Sequence, residues 1–358
     1  MESSVKRSQK IKSIAIITII GIIVGSLFTA IAFGFDTARI IKGMTAGFMI
    51  TLTIGILEYF VFQNKFKKLK FSIALLIRTL CYVAAISFSV IIVWVVHESS
   101  INDANIFTTL KSSDFRYFIF EGDFKKILIF SIVVGFLINF FTQINSLLGK
   151  RVLWNYLTGK YHNPKEEERV FMFLDMSSST TIAESLGPVT YHRFINNYFF
   201  DIDEAIVESK GEIYQYVGDE VIISWKNDSG FKNANCIKCF FDIRNKIEGV
   251  SDKYKKKYGL VPGFKAGLHS GEVVTGEVGD SKKEIAFHGD VLNTAARIQA
   301  ECNRLGKKFL VSEYVLNRIT LPPEYKVEKM GKFTLRGKES EVELFSIEKV
   351  SKSKSLSL

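Results

Sequence analysis

Residues 169–175 read RVFMFLD and residues 211–225 read GEIYQYVGDEVIISW. These two stretches decide the fold of the C-terminal half. RVFMFL is a short run, apolar throughout after Arg169, the pattern of a buried strand, and it ends directly on a carboxylate, Asp175. In the second stretch, Gly211–Val217 and Val221–Trp225 are β-rich runs on either side of Gly218-Asp219-Glu220. That spacing predicts a hairpin with its acids at the tip.

Working outward, strands and helices alternate. Val189–Ser209 carries Phe194, Ile195, Tyr198, Phe199, Ile202, Ala205 and Ile206 at helical spacing, and a second helix is predicted over Phe231–Tyr254. Phe264–His269 and Glu272–Gly276 are expected to form a strand pair broken at Ser270-Gly271. Leu292–Arg304 is a third helix, and Tyr325–Arg336 with Glu341–Glu348 a closing hairpin. The β-α-β-β-α-β order predicts a ferredoxin-like α+β domain, with helices on one face of a largely antiparallel sheet.

The N-terminal half differs in kind. The 358 residues carry a net charge of +10, of which +8 falls in residues 1–150 and +2 in the rest. A near-neutral soluble half argues against a nucleic-acid partner. Four Cys without framework spacing exclude a disulfide-stapled scaffold. Ile14–Phe35 is free of charge for 22 residues, about 33 Å of helix and enough to cross a bilayer core. Similar stretches at 44–62, 71–96 and 127–148 make a four-helix transmembrane domain over residues 1–148. Lys and Arg at the N-terminus, in the 64–70 loop and at Lys150-Arg151 predict that both termini and residues 151–358 are cytoplasmic; Lys125 and Lys126 run mildly against this. Glu58 and Arg78 lie near span ends and are expected to snorkel to the interface rather than pair. Residues 97–126 read as a short cap. A helical linker spans 149–167, the catalytic domain 168–348, and a disordered tail 349–358.

Asp175 and Asp219 are the candidate chemistry. Two carboxylates at neighbouring strand ends suit Mg²⁺ or Mn²⁺ and phosphates, but Asp is also a common turn residue, and spacing alone leaves both readings open. More specific is the order of five motifs: FLDMSSSTTIAE, GEIYQYVGDEVIISW, KAGLHSGEVVTGEVG, FHGDVLNTAARIQA and LRGK. Together these closely resemble the class III nucleotidyl cyclase catalytic domain, and four spans before such a domain are a familiar bacterial layout.

The resemblance implies roles position by position. Asp175 and Asp219 match the metal-binding aspartates of a site holding two Mg²⁺ or Mn²⁺, with the Met176 carbonyl assisting. Ser177, Ser178, Ser179 and Thr180 match the turn that cradles the triphosphate, with Ser178-Ser179 in place of the family's usual Gly-Phe. Asn293 matches the ribose-orienting asparagine and Arg297 the arginine that stabilises the transition state. In LRGK, Arg336 stands where the family lysine holds the terminal phosphates, and Lys338 is the reserve. The implied reaction is attack of a nucleotide's 3′-hydroxyl on its own α-phosphate, expelling pyrophosphate. In the family the metal acids and the Asn/Arg helix of one site come from different subunits. One intact domain per chain therefore implies a homodimer with shared sites.

The base-reading positions match neither branch of the family. Adenylyl cyclases commonly carry Lys and Asp or Thr there, guanylyl cyclases Glu and Cys; this chain has Gln215 and Ala286. Adenine is preferred on the family's bacterial frequency, so the expected substrate is ATP, with GTP as the alternative. A membrane receptor that only binds nucleotide is a further alternative, although Asp175, Asp219, Asn293 and Arg297 are all present. A diguanylate cyclase would need a GGDEF hairpin, and the turn here reads VGDEV. Cys236 and Cys239 form a lone CxxC expected in a helix core, and His269 is expected to be structural.

Overall fold

The computed structural model describes residues 4–62, 69–149, 152–335 and 341–350. Arg336, Lys338, Lys150-Arg151 and most of the 64–70 loop lie outside the described residues, as do positions 351–358. The chain divides into two compact units, Met1–Leu148 and Gly149–Leu358.

Among the described residues of the first unit, four helices are long and apolar enough to cross a membrane: Ile14–Ile31, Thr37–Phe62, Phe71–Ile101 and Phe124–Asn145. The first two pack backbone to backbone through Gly21, Gly25, Gly43 and Gly47. The second ends in a π-helix, Leu57–Phe62, that carries Glu58. Contrary to the snorkelling expectation, Arg78 lies 3.7 Å from Glu58 and Tyr82 donates its hydroxyl to the same carboxylate. Arg78 and Tyr82 are one turn apart on one helix, so both reach Glu58. Asn139 donates to Thr79 at 3.3 Å and is fully buried. Two short helices, Ile106–Leu110 and Ser113–Phe120, follow the third long helix, and Phe118 stacks on Trp94 with centroids 4.8 Å apart.

The second unit is built on one eight-stranded sheet. Its strands are β1 (Lys165–Met176), β2 (Glu212–Val217), β3 (Glu220–Lys226), β4 (Phe264–Val278), β5 (Glu284–His288), β6 (Phe309–Ser312), β7 (Tyr325–Thr334) and β8 (Glu341–Lys349). They run in the order β2-β3-β1-β4-β6-β8-β7, with β5 paired to β4. Among the described residues only the β4–β6 pair is parallel.

Three expectations change. Helices cover both faces of the sheet, not one. Val170, Met172 and Leu174 of β1 pack with Pro188–Glu208 and Asn235–Gly249. Phe171 and Phe173, alternating with them, pack with Val291 and Ala295 of the Asp290–Arg304 helix. An apolar run without alternation has two faces to bury, and each receives its own helix. Second, β4 is one continuous 15-residue strand. Ser270 and Gly271 stay paired with Val170 and Arg169, and the true partner of the far end of β4 is β5. Third, the predicted helix over 231–254 is several shorter ones, Asn235–Gly249 and Ser251–Tyr258 being the longest.

Glycine is required where helix meets sheet. A Cβ on Gly267 would stand 2.3 Å from the Gln299 backbone nitrogen, so only glycine lets the Asp290–Arg304 helix lie this close to β4.

Candidate active site

β1 runs out of the core and delivers Asp175 at its end. Asp175 pairs in register with Glu220 on β3 and Lys265 on β4. The β2–β3 turn is two residues long, with Gly218 at φ +63°, which glycine adopts at no steric cost. This tight turn holds Asp219 within hydrogen-bonding reach of Asp175. Burial and the Asp219 charge push Asp175 above the usual carboxylate range. Burial and the charges of Asp175 and Asp219 push Glu220 up to about 7. Negative charge is thus held together against its own repulsion.

The cations nearby offset that only in part. Lys265 Nζ lies 3.3 Å from Asp175 Oδ2, with the two side chains 14% and 23% exposed. Gln299 Nε2 donates to the same oxygen at 3.0 Å. The sequence reading missed Lys265, Gln299 and Glu220 as members of this cluster. Lys265 heads a motif already singled out, and a lone cation opening a buried strand was the available signal.

No group of three His, Cys, Asp or Glu side chains able to hold a metal ion occurs among the described residues. Two carboxylates suit Mg²⁺ or Mn²⁺ all the same, because these ions keep waters and take substrate oxygens as further ligands. Asp175, raised by burial and by the Asp219 charge beside it, fits such an ion. Met176 follows Asp175 and its side chain is buried.

The phosphate-turn candidates come next. Ser177 N–H bonds Gly263 O at 2.9 Å, and the Ser179–Leu186 helix begins immediately after. Ser178 has φ +58° and ψ +31° with no capping bond from its side chain. Left-handed backbone costs an L-residue about 1–2 kcal/mol, partly offset by the greater unfolded-state freedom of glycine. Ser178→Gly is therefore expected to raise stability by about 0.5–1 kcal/mol, or about 2 °C in Tm by calorimetry. A lowered Tm would contradict the strain.

Asn293 and Arg297 share a face of the Asp290–Arg304 helix. Asn293 is exposed, Arg297 is half-buried, and Arg297 Nη1 is shielded from solvent without a hydrogen-bond partner among the described residues. Gln299, which holds its own chain's Asp175, lies about 200° around the helix axis from Arg297.

Gln215 and Ala286 stand beside two residues that touch, Tyr214 and Phe287, whose rings are 4.8 Å apart. Gln215 is exposed and Ala286 half-buried. His269 Nδ1 lies 2.8 Å from Ser312 Oγ, as a structural histidine would. Cys236 and Cys239 are fully buried in the core, and burial pushes the Cys239 thiol up to about 12.

The family described as adenylate and guanylate cyclase catalytic domain matches residues 162–349. The chain belongs to the class III nucleotidyl cyclases. Among curated relatives, this cyclase is 34% identical over 222 residues to "Adenylate cyclase 2" of Rhizobium meliloti (strain 1021), covering 62% of this chain and 61% of that one. It is 26% identical over 183 residues to "Adenylate cyclase" of Anabaena cylindrica, covering 49% and 36%. The match thus spans less than two thirds of either relative's length. Among solved structures, a bacterial light-regulated adenylyl cyclase superposes with a TM-score of 0.53 at 19% identity, over 63% of this chain and 65% of that one. That similarity establishes the shared fold of the catalytic unit.

Proposed function

We propose that this chain is an integral-membrane adenylyl cyclase, converting ATP to 3′,5′-cyclic AMP and pyrophosphate at sites shared between two copies. The carrying observation is the Asp175–Asp219 pair, two acids brought to neighbouring strand ends so that burial and the Asp219 charge raise Asp175. Asp175, Asp219 and the Met176 carbonyl would hold two Mg²⁺ or Mn²⁺. When bound, such ions supply positive charge to the attacking 3′-oxygen and the departing phosphates.

The remaining roles belong to the chain's own groups. Amides of Ser177 to Thr180 cradle phosphate oxygens. Lys265 neutralises part of the phosphate charge from beside Asp175, and Arg336, with Lys338 in reserve, holds the terminal phosphates. Arg297 donates to the non-bridging oxygens of the α-phosphate as their charge grows. Asn293, exposed on the same helix face, orients the ribose. Arg297 points away from its own chain's carboxylates, which supports a homodimer in which each helix serves the other subunit's acids.

Adenine is favoured by the adenylate cyclase relatives. The four apolar helices support anchoring in a lipid bilayer, and the Lys/Arg distribution supports a cytoplasmic catalytic unit. The test is turnover by the purified full-length protein given ATP or GTP, each with Mg²⁺ or Mn²⁺. Cyclic AMP and pyrophosphate in equal amounts are expected. Faster cyclic GMP formation would overturn the base assignment, and nucleotide binding without any cyclic product would overturn catalysis.

A further inference from the structure

The register of β2 shifts between Ile213 and Gln215. Ile213 faces Ile223, while Gln215 faces Ile222, leaving Tyr214 as the extra residue of a bulge. Ile223 and Ile222 belong to opposite faces of the sheet. Without the bulge, Gln215 would share the face of Ile213. With it, Tyr214 and Gln215 both lie on the face that carries β5 and the Asp290–Arg304 helix.

Tyr214 uses that placement. Its ring meets Phe287 edge-on with centroids 4.8 Å apart, and its hydroxyl oxygen accepts the Phe287 backbone N–H at 3.4 Å. Among the described residues β5 pairs with β4 alone, so this is a tie from its other side to β2. From below, Phe287 rests on Phe171 at 5.4 Å and on the Arg169 guanidinium at 4.5 Å. Arg169 is 3% exposed. Its Nε donates to Glu167 at 3.0 Å, and its Nη1 to Glu212 of β2 and Ser224 of β3, both at 3.2 Å. One buried cation therefore braces β1, β2, β3 and β5 together.

We propose that Tyr214 is a positioning residue for base selection: its hydroxyl and ring hold β5 against β2 and so set the gap between Gln215 and Ala286 that the purine enters. Ala286 has no polar side-chain atom, so discrimination there depends on where the strand lies rather than on what its side chain bonds. The inference rests on the nucleotidyl cyclase reading above.

The full-length protein and its Tyr214→Phe variant are compared by titration with a fluorescent ribose-labelled ATP in Mn²⁺ and by steady-state turnover of ATP and GTP. Loss of the hydroxyl is expected to raise the Kd and the KM for ATP about threefold, with a smaller change in kcat. The ratio of kcat/KM for ATP over GTP shifts by a similar factor, and Tm stays within about 1 °C. Unchanged Kd, KM and ratio would overturn the proposal. Should Tyr214→Phe not fold, Phe287→Leu, which removes the ring that Tyr214 and Arg169 grip, is expected to shift the same ratio, and an unchanged ratio there overturns it equally. If the wild type binds the labelled ATP but forms no cyclic product, catalysis fails as a reading while the Kd comparison still decides the role of Tyr214.

Discussion

Replacing Asp219 by Asn is expected to cut nucleotide cyclisation by at least about 10³-fold while making the metal-free protein more stable. The loss follows from charge. A neutral amide of the same shape cannot grip a divalent cation, and removing one strong electrostatic contact to a transition state typically costs about 10²–10³ in rate; here a cation's hold goes with it. The gain in stability follows from the same charge. Asp175 is pushed above its ordinary range by burial and then by Asp219, so at neutral pH its ionised form is disfavoured by folding. Removing the Asp219 charge relieves that repulsion, whereas Lys265 and Gln299 remain on Asp175. Product formation in Mn²⁺ and thermal melting in a chelator measure the two effects. Activity within tenfold of wild type, or a lowered Tm in chelator, would show that the carboxylate pair is not held for a cation. Such a trade of stability for activity is common where like charges are gathered for function.

Mixing two dead chains is expected to restore activity. Asp175→Ala removes a carboxylate and Arg297→Ala the guanidinium, and each homodimer has two broken sites. In a mixed dimer with shared sites, one site carries both lesions and the other carries neither. Random pairing puts half the dimers in the mixed form, so the mixture recovers about a quarter of wild-type activity. The geometry behind this is the helix itself. At 3.6 residues per turn, a helix that turns Gln299 to its own Asp175 must turn Arg297 away from it. Differently tagged chains, co-purified and assayed, check the result. A mixed dimer that can be isolated and stays inactive would refute shared sites.

Much of the catalytic unit was legible in its residues. VFMFL, five residues without a charge, had to be a buried strand, and the Gly218-Asp219-Glu220 connection had to put its acids at a hairpin tip. The helix of Asn293 and Arg297 follows from spacing, although it begins two residues before the expected Leu292, at Asp290. Other features were not legible, because they depend on partners far along the chain. Ser270-Gly271 looks like a turn, yet it is strand because β1 lies alongside to pair with it. Its glycine serves close packing instead, since a Cβ on Gly271 would come within 2.7 Å of Val291. The pairing of Glu58 with Arg78 likewise required two helices to meet.

By itself, then, the order of residues determined the strand that ends on Asp175, the hairpin that carries Asp219 and the long apolar helices, because those follow from local periodicity and turn chemistry. Only the tertiary structure decided which face each strand residue serves. A single extra residue in β2 moved Gln215 to the opposite face, and one unpaired register position leaves no mark in hydrophobic pattern. It also decided that Lys265 and Gln299 converge on Asp175, since long-range pairing, not sequence proximity, brings together groups about 90 and 124 positions away.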